Sequence, residues 1–259
     1  MTENFMITAP RDESKGYKEW NAWIKVMYAC DAKKWVIAAE VGRGGYKHWQ
    51  IRVQTGMPKF FEWMKAVNPR AHVEKASDTW EYERKGGKFI TSDDNKEIFR
   101  MRFGKPSEAQ KRVYEAVRDT NDREIVVWYD PTGKVGKSWF IGHLWETGKA
   151  YKCQNVDGGL KNMIEDIASD FIKHGRREMV VIDIPRTMKW DDKLLVALEM
   201  LKDGLIKDSR FNSTTVNIRG TGILVCCNTE PDYKKLTSDR WVVYETFYEM
   251  GQAWTERKR

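Results

Sequence analysis

The feature that most constrains this chain is a glycine-bearing turn that directly follows a run of apolar residues. The run is Ile125-Val126-Val127-Trp128-Tyr129, and the turn is Asp130-Pro131-Thr132-Gly133-Lys134-Val135-Gly136-Lys137-Ser138. A strand, such a turn and a further apolar stretch have the layout of a phosphate-binding loop, in which backbone N–H groups and a lysine face phosphates and a hydroxyl ligates Mg²⁺. The pattern predicts a nucleotide and Mg²⁺ site, whose residues are Gly133, Gly136, Lys137 and Ser138.

This loop departs from the usual pattern at its first position. In the usual spacing the first glycine falls on Pro131, and a loop longer by one residue places it on Asp130. Neither residue is glycine, so the departure concerns the shape of the loop more than its existence.

Three apolar runs in the second half predict a parallel sheet. They span 125–129, 179–184 and 222–227. Continuous apolar runs are typical of strands buried on both faces, as in a parallel sheet covered by helices. The second run ends in Asp183, a position that orients magnesium water beside a phosphate loop, and Asn228 follows the third run, where it would position the attacking water.

A polar segment near residue 104 predicts a division into two domains. We expect a first domain at 1–103, a linker or oligomerisation helix at 104–121 that Ser107 caps, and a second domain at 122–259. The first half alternates short strands and helices, which indicates an α+β fold.

Composition favours a polyanionic partner, although a solvated basic surface is the simpler alternative. Lys and Arg number 45 against 38 Asp and Glu, which gives a net charge of +7. The four cysteines show no metal-binding or disulfide spacing, which predicts a reducing compartment. No run is long and apolar enough to span a membrane, so we expect an intracellular protein without membrane contact.

One strand of the first half predicts a metal site. In the segment 46–54, His48 and Gln50 alternate with apolar residues and therefore point to the same face. If the preceding strand pairs with it through a short glycine turn, Glu40 lies beside them. An imidazole, an amide oxygen and a carboxylate suit Mg²⁺ or Mn²⁺ with open coordination positions. A polar strand face exposed to solvent is an equally good alternative.

Tyr82-Glu83-Arg84-Lys85 is the second element of this half. On a helix Tyr82 and Lys85 share a face. A free tyrosine titrates near pH ~10, so it becomes a nucleophile only when a cation or base assists it. Taken alone, this short pattern favours a structural tyrosine.

Together, these residues resemble the replication initiator (Rep) proteins of circular single-stranded DNA viruses. The resemblance is carried by His48-Trp49-Gln50, by Tyr82 and Lys85, by the phosphate loop, and by segments 5–11 and 71–76. It covers nearly the whole chain and looks most like smacovirus Rep. The first half resembles an HUH endonuclease domain of ferredoxin-like fold, in the subgroup where glutamine replaces the second histidine.

The resemblance implies that Tyr82 attacks single-stranded DNA at a stem-loop origin. Attack leaves a 5′-phosphotyrosine and a free 3′-hydroxyl for a host polymerase, and the reverse reaction rejoins DNA without ATP. Glu40, His48 and Gln50 would hold the metal, and Lys85 would position DNA or metal.

The second half resembles an AAA+-like superfamily 3 helicase. In that family Asp183 corresponds to the second motif, Asn228 to the sensor and Arg240 to an arginine finger that acts on a neighbour's ATP, which implies a ring, usually a hexamer. Lys207 and Arg210 fall where a DNA-tracking hairpin is expected at 205–217, although a solvated loop is as good an interpretation.

The family often has a second acid after the first, but Ile184 and Pro185 follow Asp183, so the general base is unassigned; Glu178 and Asp191 are candidates.

These observations favour an initiator of rolling-circle replication that nicks and rejoins DNA and unwinds it with ATP. One alternative is a nickase whose ATPase half only assembles rings. The other is a non-catalytic origin-binding protein in which Tyr82 is structural. In a eukaryotic host the expected location is the nucleus.

Overall fold

The chain divides into two units. The computed structural model describes residues 2–154, 156, 158–210, 213–249 and 252–258. The first unit spans residues 1–102 and the second spans residues 103–259. The fold is a mixed α/β fold with several sheets, as the sequence predicts. Within the described residues, no helix has the length and apolar character needed to cross a membrane.

The first unit is built on a five-stranded antiparallel sheet with the spatial order β4-β1-β3-β2-β5. The strands are β1 (Glu3–Pro10), β2 (Lys34–Val41), β3 (Lys47–Thr55), β4 (His72–Lys75) and β5 (Phe89–Thr91). The helices are α1 (Tyr17–Ala29), α2 (Phe60–Val67) and α3 (Lys96–Phe103), with 3-10 helices at Glu13–Lys15 and Tyr82–Arg84.

Strand β3 divides this unit into two faces, as its alternating sequence predicts. Trp49, Ile51 and Val53 are almost fully buried in the main core, which also contains residues of α1 and α2. On the opposite face Gln50 and Arg52 are also buried, with relative exposures of 6% and 5%. The alternative of a solvent-exposed polar face is therefore wrong for these two residues.

A buried ion pair holds the segment around Tyr82 on the polar face of β3. The Arg52 guanidinium donates to Glu83 Oε1 at 2.9 Å and to the carbonyl oxygen of Ser77 at 2.7 Å. The side chain of Glu83 is fully buried, and its second oxygen has no partner among the described residues. A single arginine thus fixes both ends of segment 77–83 to the strand that carries His48 and Gln50.

The segment from Tyr82 to Lys85, where the sequence analysis considers a helix, contains a single short helical turn. Only Tyr82–Arg84 forms a 3-10 helix, because Trp80 turns inward and packs with Val36, Ala38 and Phe89. The Trp80 indole N–H donates to Asp78, which further fixes the entry into the turn.

The second unit contains a six-stranded sheet with the order β13-β12-β6-β11-β8-β7 and a separate hairpin of β9 and β10. The strands are β6 (Ile125–Tyr129), β7 (Ala150–Lys152), β8 (Met179–Asp183), β9 (Leu205–Asp208), β10 (Thr214–Asn217), β11 (Gly222–Cys227), β12 (Trp241–Glu249) and β13 (Gln252–Arg257). The helices are α4 (Glu108–Arg118), α5 (Lys137–Glu146), α6 (Gly159–His174) and α7 (Asp192–Asp203), with a 3-10 helix at Ser238–Arg240.

The three apolar runs form parallel strands that are buried on both faces, as predicted. β6 and β8 pair in parallel with β11, β12 with β6 and β7 with β8, whereas β13 runs antiparallel to β12. Alternate residues of β6 enter two cores: Ile125 and Val127 join one, and Val126 and Trp128 join the other. The four cysteines are buried free thiols.

Segment 104–121, expected to be a linker or oligomerisation helix, contains α4. Ser107 caps this helix in a capping box with Gln110, as its position predicts. Val113 and Val117 are buried in a core of the second unit, so at least one face of α4 serves that core.

We predict that Arg52→Met destabilises the protein by about 3–5 kcal/mol, because it leaves the Glu83 carboxylate buried without its partner. Arg100→Met is the matched control, since Arg100 forms an exposed pair with Glu97 and should cost less than about 1 kcal/mol. Urea unfolding of both variants measures the difference. Equal unfolding midpoints would show that the buried pair does not stabilise the unit.

Candidate active sites

The first candidate site forms where β2 and β3 meet. Glu40 lies directly opposite His48 in the register of these strands, and Ala38 lies opposite Gln50. Glu40, His48 and Gln50 therefore share one face of the sheet. The Glu40 Oε2 atom is 3.8 Å from His48 Nε2. On the other side of β3, the Thr8 hydroxyl donates to Gln50 Oε1 at 3.0 Å and orients the amide.

Glu40 has the features of a cation-binding carboxylate. Its side chain is only 12% exposed, and its Oε1 atom is buried without a hydrogen-bond partner among the described residues. A carboxylate removed from water is costly unless a cation or hydrogen-bond donor compensates it. No group of three His, Cys, Asp or Glu side chains suited to a metal occurs among the described residues, so a metal here needs the amide of Gln50 as well.

The surroundings of His48 suit it to the same role. Its Nδ1 atom is 3.3 Å from the carbonyl oxygen of Tyr46. A proton on Nδ1 would be donated to that carbonyl, which leaves the Nε2 lone pair directed towards Glu40. The exposed ring of Tyr46 stacks on the imidazole, with 5.6 Å between the ring centroids.

Lys85 connects Tyr82 with this group. Its Nζ atom is 3.6 Å from Glu40 Oε2 and 3.5 Å from the centroid of the Tyr82 ring. Tyr82 is 53% exposed, so a substrate can reach it. The structure thus brings together Glu40, His48, Lys85 and Tyr82 from β2, β3 and the turn that follows β4.

Arg11, at the end of the segment 5–11, supports the same region. Its guanidinium Nη2 donates to the carbonyl oxygen of Glu40 at 3.5 Å, and it lies over the ring of Trp49. This contact joins the end of β1 to the end of β2 beside the candidate site.

The second candidate site is the loop between β6 and α5. Asp130, one of the two positions where the first glycine was expected, has a buried carboxylate that accepts hydrogen bonds from the backbone N–H groups of Thr132 and Gly133. Gly133 and Gly136 have φ values of +85° and +80°, a conformation that glycine adopts without strain. Gly136 is also the N-cap of α5, so the helix N-terminus faces the loop.

Lys137 is held by a carboxylate of its own loop. Its Nζ atom is 3.0 Å from Asp130 Oδ2, and its side chain is only 9% exposed. A phosphate can bind this ammonium group only if the contact with Asp130 loosens or is shared. Ser138 follows at the first turn of α5 and is exposed.

Asp183 and Asn228 lie at the same edge of the sheet as the loop. Asp183 ends β8 opposite Cys226 of β11, and the Asn228 amide donates to the carbonyl oxygen of Asp130 at 2.6 Å. Burial raises the pKa of Asp183, and the positive charges of Lys152 and Lys137 oppose that shift.

Arg240 lies at the opposite edge of the sheet. It directly precedes Trp241, which pairs with Ile125 at the start of β6, whereas the loop begins after the end of β6. Five residues of strand separate the two edges by about 16 Å. Arg240 instead pairs with Glu199 at 3.3 Å.

The two candidate general bases are occupied elsewhere. Glu178 precedes β8, at the edge far from the loop, and accepts a hydrogen bond from the Tyr114 hydroxyl. Asp191 caps α7 by accepting from the backbone N–H of Leu194. Glu178 therefore lies too far from the phosphate loop to act there, and the Asp191 carboxylate already accepts a hydrogen bond as the cap of α7.

The two expected DNA contacts differ in their surroundings. Lys207 is exposed on β9. Arg210 binds the carboxylate of Asp208, the backbone carbonyl of Glu165 and, at 3.7 Å, the carboxylate of Asp166. Residues 211 and 212, at the tip of the expected hairpin, lie outside the described residues.

Sequence reasoning missed Arg186. Its Nη2 atom donates to the carbonyl oxygen of Thr132 in the phosphate loop at 3.2 Å. The available signal was its place in the sequence, three residues after Asp183 and directly after Ile184-Pro185, where a second acid was expected.

Comparison with known proteins identifies the relatives of this chain. No protein-family model matches it. Para-Rep C7 of the Faba bean necrotic yellows C7 alphasatellite is 23% identical over 252 residues, covering 76% of this chain and 85% of that protein. Para-Rep C2 of the Milk vetch dwarf C2 alphasatellite is 27% identical over 136 residues, covering 52% of this chain and 45% of that protein. These curated homologues of the chain are satellite Rep proteins. They support its assignment as a replication initiator of the kind found in circular single-stranded DNA viruses.

Proposed function

We propose that this initiator nicks and rejoins single-stranded origin DNA through Tyr82 and unwinds DNA with ATP. The observation that carries the proposal is the position of Lys85, which contacts both the Tyr82 ring and the Glu40 carboxylate. The exposed phenol of Tyr82 and the ammonium group of Lys85 lie close to the Glu40 carboxylate, whose Oε1 atom has no hydrogen-bond partner among the described residues. That combination serves attack on a phosphodiester.

In the first unit, the Tyr82 oxygen attacks the phosphorus of the scissile phosphodiester. The bond from phosphorus to the 3′-oxygen breaks, the phenol proton is lost, and the released 3′-oxygen takes up a proton. The ammonium group of Lys85 stabilises negative charge that develops on the phenol oxygen. A divalent cation bound by Glu40, His48 and Gln50 would polarise the phosphate. The antiparallel sheet with its flanking helices is consistent with a ferredoxin-like HUH domain.

In the second unit, the loop, Asp183 and Asn228 would bind Mg²⁺-ATP at one edge of the parallel sheet. Gly133 and Gly136 allow the turn, Lys137 would bind phosphate, and the Ser138 hydroxyl and Asp183 would ligate Mg²⁺. This arrangement is the one expected of an AAA+-like superfamily 3 helicase domain.

The position of Arg240, at the edge away from its own loop, supports a ring of subunits, for which we propose six members. In a ring it would serve the ATP of a neighbouring subunit. Lys207, and Arg210 if its pairing with Asp208 opens, would contact single-stranded DNA. A host polymerase would extend the 3′-hydroxyl, in the nucleus if the host is eukaryotic.

Two observations favour a second candidate, a nickase whose ATPase half only assembles rings. Lys137 is bound by Asp130, and no second acid follows Asp183. ATP binding without hydrolysis, together with nucleotide-dependent assembly, would support this candidate. A non-catalytic origin-binding protein remains the third interpretation, and it is tested by the formation of a covalent adduct.

We predict a covalent protein–DNA adduct on labelled single-stranded stem-loop DNA with Mn²⁺, visible on a denaturing gel. Tyr82→Phe should abolish it, because the substitution removes only the attacking oxygen. Tyr28→Phe is the matched control, since Tyr28 is an exposed tyrosine on α1 with a relative exposure of 77%. DNA binding without an adduct in the wild type would favour the origin-binding interpretation, and an adduct that persists in Tyr82→Phe would exclude Tyr82 as nucleophile.

We predict that Asp183→Asn abolishes ATP hydrolysis while raising the melting temperature at neutral pH. Burial raises the pKa of Asp183, so the folded chain disfavours the ionised form. Its charge therefore costs stability above the folded pKa, and this cost disappears as the pH falls through that pKa towards the ordinary value near 3.8. The neutral amide avoids the cost.

Calorimetry between pH 8 and about pH 4 checks this prediction. The difference in melting temperature between Asp183→Asn and the wild type should become smaller at low pH. Asp232→Asn is the control, because Asp232 is an exposed carboxylate that accepts a hydrogen bond from the backbone N–H of Lys234. It should leave ATP hydrolysis and the melting temperature unchanged. A lower melting temperature for Asp183→Asn at neutral pH would contradict the account.

A further inference from the structure

Arg186 reaches the phosphate loop from the segment that follows Asp183. The chain leaves β8 through Ile184 and Pro185, and the Arg186 guanidinium then donates to the carbonyl oxygen of Thr132 at 3.2 Å. A Cβ atom at Gly133 would come within 3.0 Å of the same Nη2 atom. The guanidinium therefore lies directly over the glycine whose turn shapes the loop.

The charge of Arg186 is not compensated by a carboxylate. Within the described part of the chain it forms no ion pair, and its side chain is exposed. Its single hydrogen bond uses one of five N–H donors, which leaves the others available to a ligand. Planar guanidinium groups bind phosphate oxygens through paired hydrogen bonds, so a free arginine over a phosphate loop is well suited to a nucleotide.

The lysine of the loop and the expected arginine finger are placed differently from Arg186. Lys137 is bound to Asp130, and Arg240 lies at the opposite edge of the sheet. A nucleotide in the loop therefore has Arg186 as the arginine supplied by its own subunit.

We infer that Arg186 binds the terminal phosphate of ATP held in the same subunit, an inference that rests on the proposed nucleotide site. In hydrolysis, a water oxygen attacks the γ-phosphorus and the bond from that phosphorus to the bridging oxygen breaks. ADP leaves with the electron pair, and the proton lost from water passes to solvent with the release of phosphate. Arg186 transfers no proton: it binds the γ-phosphate oxygens as charge moves from them to ADP.

A purely structural arginine would behave differently from a γ-phosphate ligand. If Arg186 only holds the loop through Thr132, its removal weakens ADP and ATP binding to the same degree. If it binds the terminal phosphate, its removal weakens ATP binding selectively, because ADP lacks that group.

The test measures binding of Mg²⁺-ADP and of the non-hydrolysable analogue β,γ-imido-ATP to the full chain by calorimetry. Arg186→Ala should weaken binding of the analogue by about 10- to 100-fold, the range for a hydrogen bond between charged groups, and should change ADP affinity less than about threefold. Arg186→Lys should recover part of the loss because it keeps the charge.

Arg176→Ala is the matched control, since Arg176 is an exposed arginine that donates to the backbone carbonyls of Arg219 and Asn217. It should leave both affinities unchanged. Equal losses for the two nucleotides in Arg186→Ala, or no loss for either, would overturn the inference while leaving the nucleotide site in place. If the wild type binds neither nucleotide, the proposed site itself fails, and the inference fails with it.

Discussion

The register between β2 and β3 is the constraint on which the first candidate site depends. It places Glu40 opposite His48 and aligns both with Gln50 on one face. A slip of one residue would turn every side chain of β3 to the other face and bury His48 in the core. Burial of Trp49, Ile51 and Val53 on the opposite face prevents that slip, so the packing of the core also determines the geometry of the site.

In the second unit, the order of the parallel strands determines the geometry of the candidate site. Parallel strands bring their carboxyl ends to one edge of a sheet, and ligands of α/β folds bind outside that edge. The phosphate loop follows β6, Asp183 ends β8 and Asn228 follows β11, which lies between the other two strands. Strand order therefore places Asp130 and Asn228, which are almost a hundred positions apart in sequence, at the same edge of the sheet. Arg186 reaches this edge from the turn after β8.

Each candidate site contains a cation already paired with a carboxylate of the same site. Lys85 contacts Glu40, and Lys137 contacts Asp130. A carboxylate that loses water on folding needs such a partner. In the proposed function the same cations act on the reacting groups, since Lys137 would bind phosphate and Lys85 would stabilise charge on the Tyr82 oxygen. We therefore expect substrate binding at both sites to rearrange an internal ion pair, with part of the binding energy spent on that change.

The sequence predicted what depends on local pattern. The alternation of β3, the buried parallel strands and the Ser107 cap follow from residue periodicity and capping chemistry, and the structure has them. Helix α3 was not predicted, because its sequence is rich in charged residues. The helix considered at Tyr82 is only three residues long, because Trp80 packs inward. The contacts of Arg52, Asp130 and Arg186 join distant segments, so no local pattern could reveal them.

The most direct test of the first site is Mn²⁺ binding to the full chain without nucleotide, observed by electron spin-echo spectroscopy. We predict one bound ion per chain with a nitrogen coupling that disappears in His48→Ala, and weaker binding in Glu40→Gln and Gln50→Ala. His72→Ala, at an exposed histidine of β4, is the control and should keep the coupling. A nitrogen coupling that persists in His48→Ala, or Mn²⁺ binding that is unchanged in Glu40→Gln, would contradict the placement of the metal between β2 and β3.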